Sequence, residues 1–273
     1  MRLLSFRSHR AVAVLSALAA FATGCANDAA SDATRTPRAA TRVSEASGET
    51  IDLRGEPYRP GPVTNSGAIV GRVVLDGPPA DAPTQPAPAP CADSGNGGDR
   101  IADAKGGAGD VVVWIANARS GKATTVEKRY DLDIENCAFV PVVQAAVTGS
   151  TFNVFNDDRE LHRLVFLRLG TTDTLTTMPF FNDGQVVASE RLASAPGVVE
   201  VRCARHPGMH AYIAVFEHPY FAVTEPSGTF RIDSLPPGRY RLMAWRRGLS
   251  KPVDQEIQVT AGRDTRLDLA VRR

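Results

Sequence analysis

The sequence predicts an all-β protein made of β-sandwiches, and three features of the chain favour this fold class. Short runs rich in β-branched and aromatic residues recur along it, and residues 111–115 are the clearest example. Gly, Pro, Asn and Asp separate most of these runs, as is typical of turns between antiparallel strands. No stretch has the period of a convincing amphipathic helix.

Composition limits the classes of function. The chain has 273 residues, 43% hydrophobic and 22% charged, which permits one large or two small domains with ordinary cores. The formal net charge is +1, so the basic surplus expected of a nucleic-acid-binding protein is missing. We therefore expect no nucleic-acid partner.

The first 24 residues have the features of an export signal. Arg2, Arg7 and Arg10 precede an apolar run at 11–22 that is too short to span a bilayer. Small residues then lead to Cys25, and this ending resembles a bacterial lipoprotein signal, although Ala stands where Leu is usual. The resemblance implies cleavage before Cys25 and its lipidation, which would anchor the protein on the periplasmic side of a membrane. If the signal is not used in this way, we expect a secreted protein.

The chain after the signal divides by composition. Residues 25–65 lack a sustained apolar period and predict a flexible tether. Residues 68–75 predict a first strand, which turn-forming residues end. Residues 77–110 are dominated by Pro, Gly, Ala and Asp and predict a long loop that contains Cys91.

Further short strands are predicted downstream, and the irregular stretch 171–183 is predicted to be a loop near the functional site. These strands lie at 111–115, 130–134, 139–143, 151–155, 163–167, 185–188, 198–202 and 211–216.

The stretch 201–210 carries the strongest functional signal. Cys203, His206 and Met209 follow one another at three-residue spacing, between two predicted strands. Two imidazoles, a thiolate and a weak axial thioether form the ligand set of blue-copper electron-transfer sites. His162, just before another apolar run, is the best candidate for the second imidazole. The neighbouring His210 is a minor alternative ligand, because on a strand it should face away from Met209.

Other chemistries fit this stretch less well. Haem attachment through a CxxCH motif needs a second Cys next to the His. A zinc site is also less suitable, because Met is a poor zinc ligand and only one Cys lies nearby. A catalytic Cys–His pair remains open, but nothing adjacent resembles an acid partner or an oxyanion hole. We therefore predict no catalytic residues and no enzyme activity.

The residues at 130–217 resemble the cupredoxins, with a loop spacing like that of amicyanin. Asn156, the Pro196-Gly197 pair and the CxxHxxM loop carry the resemblance. It implies a cupredoxin-like sandwich in which His162, Cys203, His206 and Met209 bind copper. Arg163 departs from the pattern, because cupredoxins often have Asn after the first ligand His. This departure affects the hydrogen bonds expected around the metal.

The C-terminal part resembles the carboxypeptidase regulatory-like, or transthyretin-like, module. Gly228-x-Phe230 and Pro237-Gly238-x-Tyr240 carry the resemblance. We expect a cupredoxin-like domain at 66–218 and the smaller sandwich at 219–273. Alternatively, residues 67–120 complete the C-terminal sandwich and the copper domain is inserted into it.

The cysteines sort by expected role. Cys25 is assigned to lipid and Cys203 to metal, which leaves Cys91 and Cys137 as a disulfide in an oxidising compartment or as two unrelated buried thiols. The leading hypothesis is a lipid-anchored copper protein that passes single electrons between redox partner proteins of the envelope. The alternative is an envelope binding, scaffolding or copper-sequestering protein with a degenerate metal site.

Overall fold

The computed structural model describes residues 51–55, 57–76, 91, 106–125, 128–249 and 251–272. Apart from a 3-10 turn at Arg191–Ala193, its regular structure in these ranges is β-strand, so the predicted all-β class is confirmed. Within the same ranges, no helix is long and apolar enough to cross a bilayer. The strands are β1 (Arg59–Pro60), β2 (Gly67–Asp76), β3 (Val112–Ile115), β4 (Ser120–Gly121), β5 (Arg129–Glu135), β6 (Ala138–Val140), β7 (Val143–Val147), β8 (Thr151–Asn156), β9 (His162–Arg168), β10 (Thr174–Phe180), β11 (Gln185–Ser189), β12 (Gly197–Cys203), β13 (His210–Phe216), β14 (Phe221–Val223), β15 (Thr229–Leu235), β16 (Gly238–Trp245), β17 (Val253–Val259) and β18 (Asp264–Arg272).

The first sandwich is formed by β5 to β13. One sheet has the order β10-β9-β12-β13-β7 and the other the order β11-β8-β5-β6. Most neighbours are antiparallel, whereas β13–β7 and β5–β8 are parallel. Side chains alternate between core and surface along strands such as β8, and Phe139, Phe152 and Phe166 are fully buried in the core between the sheets.

The second sandwich takes its strands from both ends of the described chain. Its sheets have the orders β14-β3-β16-β17 and β15-β2-β18. β2 pairs antiparallel with β15 and parallel with β18, and β3 pairs with β14 and β16. Residues 67–76 and 112–115 therefore complete the C-terminal sandwich, and the first sandwich is inserted between β3 and β14.

The two sandwiches pack against each other through the five-stranded sheet and the sheet that contains β3. Every residue of β3 and of β7 is buried, because both strands lie in sheets that are covered on both faces. Trp114 contacts Phe216 and Trp245 contacts Tyr212, each pair with ring centroids 5.8 Å apart.

Strand β10 lies where the sequence predicts a loop at 171–183. It pairs antiparallel with β9, with a register shift between Thr174 and Thr176, and Phe180 lies opposite His162. It is an edge strand, in which only Met178 and Phe180 are buried and Pro179 is tolerated. Because β10 contains several polar residues, its sequence does not show the alternation of apolar and polar residues that predicts a strand.

The predicted tether differs from the structure at its C-terminal end. Ile51 and Leu53 are buried in the junction between the sandwiches, and Arg59–Pro60 pairs with Ser120–Gly121. These two side chains fill the space at the junction, but two alternating apolar residues are too few to form a sustained apolar pattern in the sequence. The export signal and Cys25 lie outside the described residues.

Candidate metal centre

The candidate site lies at one end of the first sandwich, where β9 begins and β12 ends. These strands are adjacent and antiparallel, and Leu164 lies opposite Cys203. His162 is two residues before Leu164, so its side chain enters the same core as that of Cys203. The Ala204 N–H donates to the Arg163 carbonyl at 2.8 Å, which ties the two segments together through the backbone.

The loop that follows Cys203 turns back on itself. The Met209 N–H donates to the His206 carbonyl at 3.0 Å, and the Cys203 N–H donates to the Met209 carbonyl at 3.3 Å. β13 then starts at His210, which lies opposite Arg202. This tight closure brings the His206 ring over the end of β12.

Three donor atoms converge in a triangle. The Cys203 Sγ atom lies 3.7 Å from His162 Nδ1 and 3.5 Å from His206 Nδ1, and the two Nδ1 atoms are 3.1 Å apart. A point equidistant from all three atoms would lie about 2.0 Å from each, close to a metal–imidazole bond length and slightly short for a metal–thiolate bond. Within the described part of the chain, no other group of three His, Cys, Asp or Glu residues is placed in this way. The donor set therefore fits a single transition-metal ion.

Burial favours the neutral form of both imidazoles, which is the form that binds metal. His162, Cys203 and His206 have exposed fractions of 0%, 3% and 6%. Desolvation lowers the pKa of His162, the nearby His206 lowers it further, and Asp158 opposes the shift. Desolvation also lowers the pKa of His206, with the charge of Arg205 acting in the same direction.

Asp158 orients the first imidazole. Its Oδ2 atom lies 3.2 Å from His162 Nε2, so the Nε2–H donates to the carboxylate and Nδ1 is left free to face the triangle. A carboxylate that orients a ligand His from behind is a common feature of metal sites. The sequence analysis did not identify Asp158; the available signal was an acidic residue four positions before the candidate ligand His162.

Met209 and His210 point to opposite sides of the chain at the start of β13. Met209 is 1% exposed and belongs to the core cluster that contains Cys203. The His210 Nδ1 atom lies 3.5 Å from Glu200 Oε1, on the face of the sheet opposite to Cys203. The structure thus brings His162, Cys203 and His206 together, keeps Met209 in the same core and places His210 elsewhere.

A groove of about 480 Å³ opens beside His162. Leu161 and Phe181 line it and are 41% and 61% exposed, which is unusual for large apolar side chains. Arg163 and Arg205 also line it and are exposed, and no ion pair is seen for either within the described ranges. The surface next to the site therefore combines apolar area with positive charge.

Two further cysteines of the described residues lie in the same sandwich. Cys91 and Cys137 form a disulfide, and both are buried in the core cluster of the first sandwich. Cys203 is the free cysteine of the described residues. The Cys203 sulfur in the triangle is therefore not part of a disulfide.

Comparison with protein families supports the C-terminal module. Residues 197–272 match the family model of the carboxypeptidase regulatory-like domain. The match includes β12 and β13, which pair in the first sandwich, and it leaves out β2 and β3, which complete the second. An inserted domain explains this difference, because a linear family pattern cannot follow a chain that leaves the module and returns to it.

Solved structures of copper proteins resemble part of the chain weakly. A copper-containing nitrite reductase from Thermus scotoductus is 21% identical with a TM-score of 0.30, and the match covers 34% of this chain and 23% of that chain. The chain therefore spans less than a quarter of that enzyme. Amicyanin from Paracoccus versutus is 18% identical with a TM-score of 0.28, covering 32% of this chain and 81% of that chain. Structural similarity at this level does not indicate a function for the chain. No curated protein sequence matches the chain.

Proposed function

We propose that this chain is an envelope copper protein that carries single electrons through a type 1 site. The observation that supports the proposal is the triangle of His162 Nδ1, His206 Nδ1 and Cys203 Sγ, whose centre lies about 2.0 Å from each donor atom. Copper is favoured over zinc because the set is one thiolate and two imidazoles, with the soft Met209 sulfur in the same loop. Met209 would supply a fourth, weaker ligand to the copper.

The residues around the triangle fix the positions of its three side chains. When bound, copper supplies one-electron exchange between its two oxidation states. β9 and β12 fix His162 and Cys203, the loop hydrogen bonds fix His206, and Asp158 fixes the tautomer of His162. Side chains fixed by these contacts would present one geometry to both oxidation states, which is what an electron carrier needs.

The groove beside His162 is the proposed contact surface for redox partner proteins. Its exposed apolar side chains, Leu161 and Phe181, would be buried by a bound partner, which would then lie next to the His162 imidazole. Arg163 and Arg205 favour partners that carry negative charge. No residue of the site is assigned a catalytic role.

The proposed location is the periplasmic side of a bacterial membrane, with a lipid on Cys25 as the anchor. An oxidising compartment is consistent with the Cys91–Cys137 disulfide. In bacterial cells, labelled fatty acid should be incorporated into the parent protein and not into Cys25→Ser. A parent protein that incorporates no fatty acid would contradict the lipid anchor without affecting the copper proposal.

Titration of the purified protein with copper(II) tests the central proposal. We expect an intense blue absorption at one equivalent and a paramagnetic spectrum typical of a copper–thiolate bond, both lost in Cys203→Ser. A colourless protein whose weak copper binding is unaffected by Cys203→Ser would instead favour copper sequestration or scaffolding.

A further inference from the structure

Asp158 connects the candidate metal centre to a turn outside it. Its Oδ1 atom accepts a hydrogen bond from the Asn136 N–H and its Oδ2 atom one from the Cys137 N–H, both at 2.7 Å. The same Oδ2 atom accepts from His162 Nε2 at 3.2 Å. The carboxylate therefore holds two consecutive backbone N–H groups and one proposed metal ligand at once.

The turn that supplies these N–H groups has a conformation that its sequence favours only in part. Asn136 and Cys137 form the two-residue loop between β5 and β6, with Glu135 opposite Ala138. Both loop residues have positive φ, 51° and 57°. Asn is well suited to the first position of such a turn, but the second is normally Gly. A non-glycine residue in this region costs about 1–2 kcal/mol, so other contacts must hold Cys137.

Two contacts hold Cys137 in this conformation. One is the disulfide to Cys91, which is fully buried in the core that also contains Cys203. The other is the Asp158 carboxylate itself. Without the disulfide, the turn can relax, and its N–H groups then no longer fix the carboxylate.

We propose that the Cys91–Cys137 disulfide sets the metal affinity of the site through Asp158, which acts as a positioning residue for His162. The inference rests on the proposed metal site. The order of contacts runs from the disulfide to the turn, from the turn to Asp158 and from Asp158 to the Nε2–H of His162. Its consequence is that the imidazole presents Nδ1 to the metal only while the turn is in place.

A double-mutant cycle tests this order of contacts. The copper(I) affinity of the full chain is measured by competition with a colorimetric chelator. Four proteins are compared: the parent, Asp158→Asn, the double serine variant (Cys91→Ser with Cys137→Ser), and the variant that combines all three substitutions. Asp158→Asn should weaken binding about 10- to 100-fold, as loss of such partners does elsewhere. The double serine variant should weaken it less, and the combination should be no weaker than Asp158→Asn alone. Losses that simply multiply would overturn the proposal.

A matched control separates position from charge. Glu160→Gln removes a carboxylate whose charge also acts on His162, but for which no hydrogen bond to the imidazole is seen among the described residues. This variant should change the copper(I) affinity far less than Asp158→Asn. Equal losses in the two variants would show that charge alone matters and would refute the positioning role.

The tautomer of His162 in metal-free protein gives a readout that does not depend on copper. Long-range ¹H–¹⁵N NMR should show the Nε2–H form in the parent and a gain of the Nδ1–H form in Asp158→Asn and in the double serine variant. An unchanged tautomer in folded samples of both variants would contradict the proposal. A parent that shows the Nε2–H form but binds no copper would refute the proposed function alone.

Discussion

Buried His218 should make the protein less stable as the pH falls from 7 to 5. It is 2% exposed, packs near the rings of Phe216 and Tyr58, and accepts a hydrogen bond from the Tyr220 N–H through Nδ1 at 3.2 Å. Burial lowers its pKa from 6.5 to about 4, and a backbone hydrogen bond that involves Ile115 opposes the shift. The unfolded chain therefore binds more protons than the folded one between these values, and stability decreases as the pH falls through 6.5.

The size of the effect follows from the two pKa values. With 6.5 in the unfolded state and about 4 in the folded state, His218 alone should lower the free energy of unfolding by about 2 kcal/mol between pH 7 and pH 5. The loss should reach its limit below pH 4, where both states are protonated. The value is an order-of-magnitude expectation for one buried imidazole.

His218→Asn isolates this contribution. The Asn side-chain oxygen can accept the Tyr220 N–H bond in place of Nδ1 but does not titrate in this range. Urea unfolding of metal-free parent and variant at pH 7, 6 and 5 gives the difference, in which the other titrating groups cancel. Parallel stability profiles of the two proteins would refute the reasoning.

Three further substitutions test other parts of the structure. Gly121→Ala should lower the free energy of unfolding, measured in urea, by about 1–3 kcal/mol. The φ angle of Gly121 is +148°, and a Cβ atom there would overlap the hydroxyl group of the buried Tyr220. An unchanged unfolding midpoint would contradict this packing. Trp245→Ala should cost about 3–5 kcal/mol by removing an aromatic side chain from the junction between the sandwiches, and a loss below 1 kcal/mol would argue against that junction. Arg205→Gln should slow oxidation of the copper(I) protein by hexacyanoferrate(III) several-fold at low ionic strength but not at high salt, as stopped-flow absorbance can measure; equal rates at low salt would remove Arg205 from the contact surface.

The strand pattern predicted most of the fold because buried strands show clear alternation or unbroken apolar runs. β3 and β13 are examples, and their positions agree with the predicted runs at 111–115 and 211–216 to within one residue. β10 was missed because an edge strand with one face in water needs few apolar residues. Ile51 and Leu53 were missed because their partners come from strands far along the chain.

The candidate site was easiest to predict where its proposed ligands lie close together in sequence. The spacing of Cys203, His206 and Met209 marks a loop between strands, and His162 was found from its position before an apolar run. Asp158 was not found, because its role depends on the backbone of the turn at 136–137, which no side-chain pattern records. Contacts of this kind can be read only from the folded chain.

The most direct test of the account is one spectroscopic titration of the purified protein with copper(II). The account predicts an intense visible absorption that saturates at one equivalent, disappears on reduction and returns on oxidation, and is absent in Cys203→Ser. A protein that remains colourless with copper bound, or whose absorption is the same in Cys203→Ser, would contradict the proposed electron-carrying site.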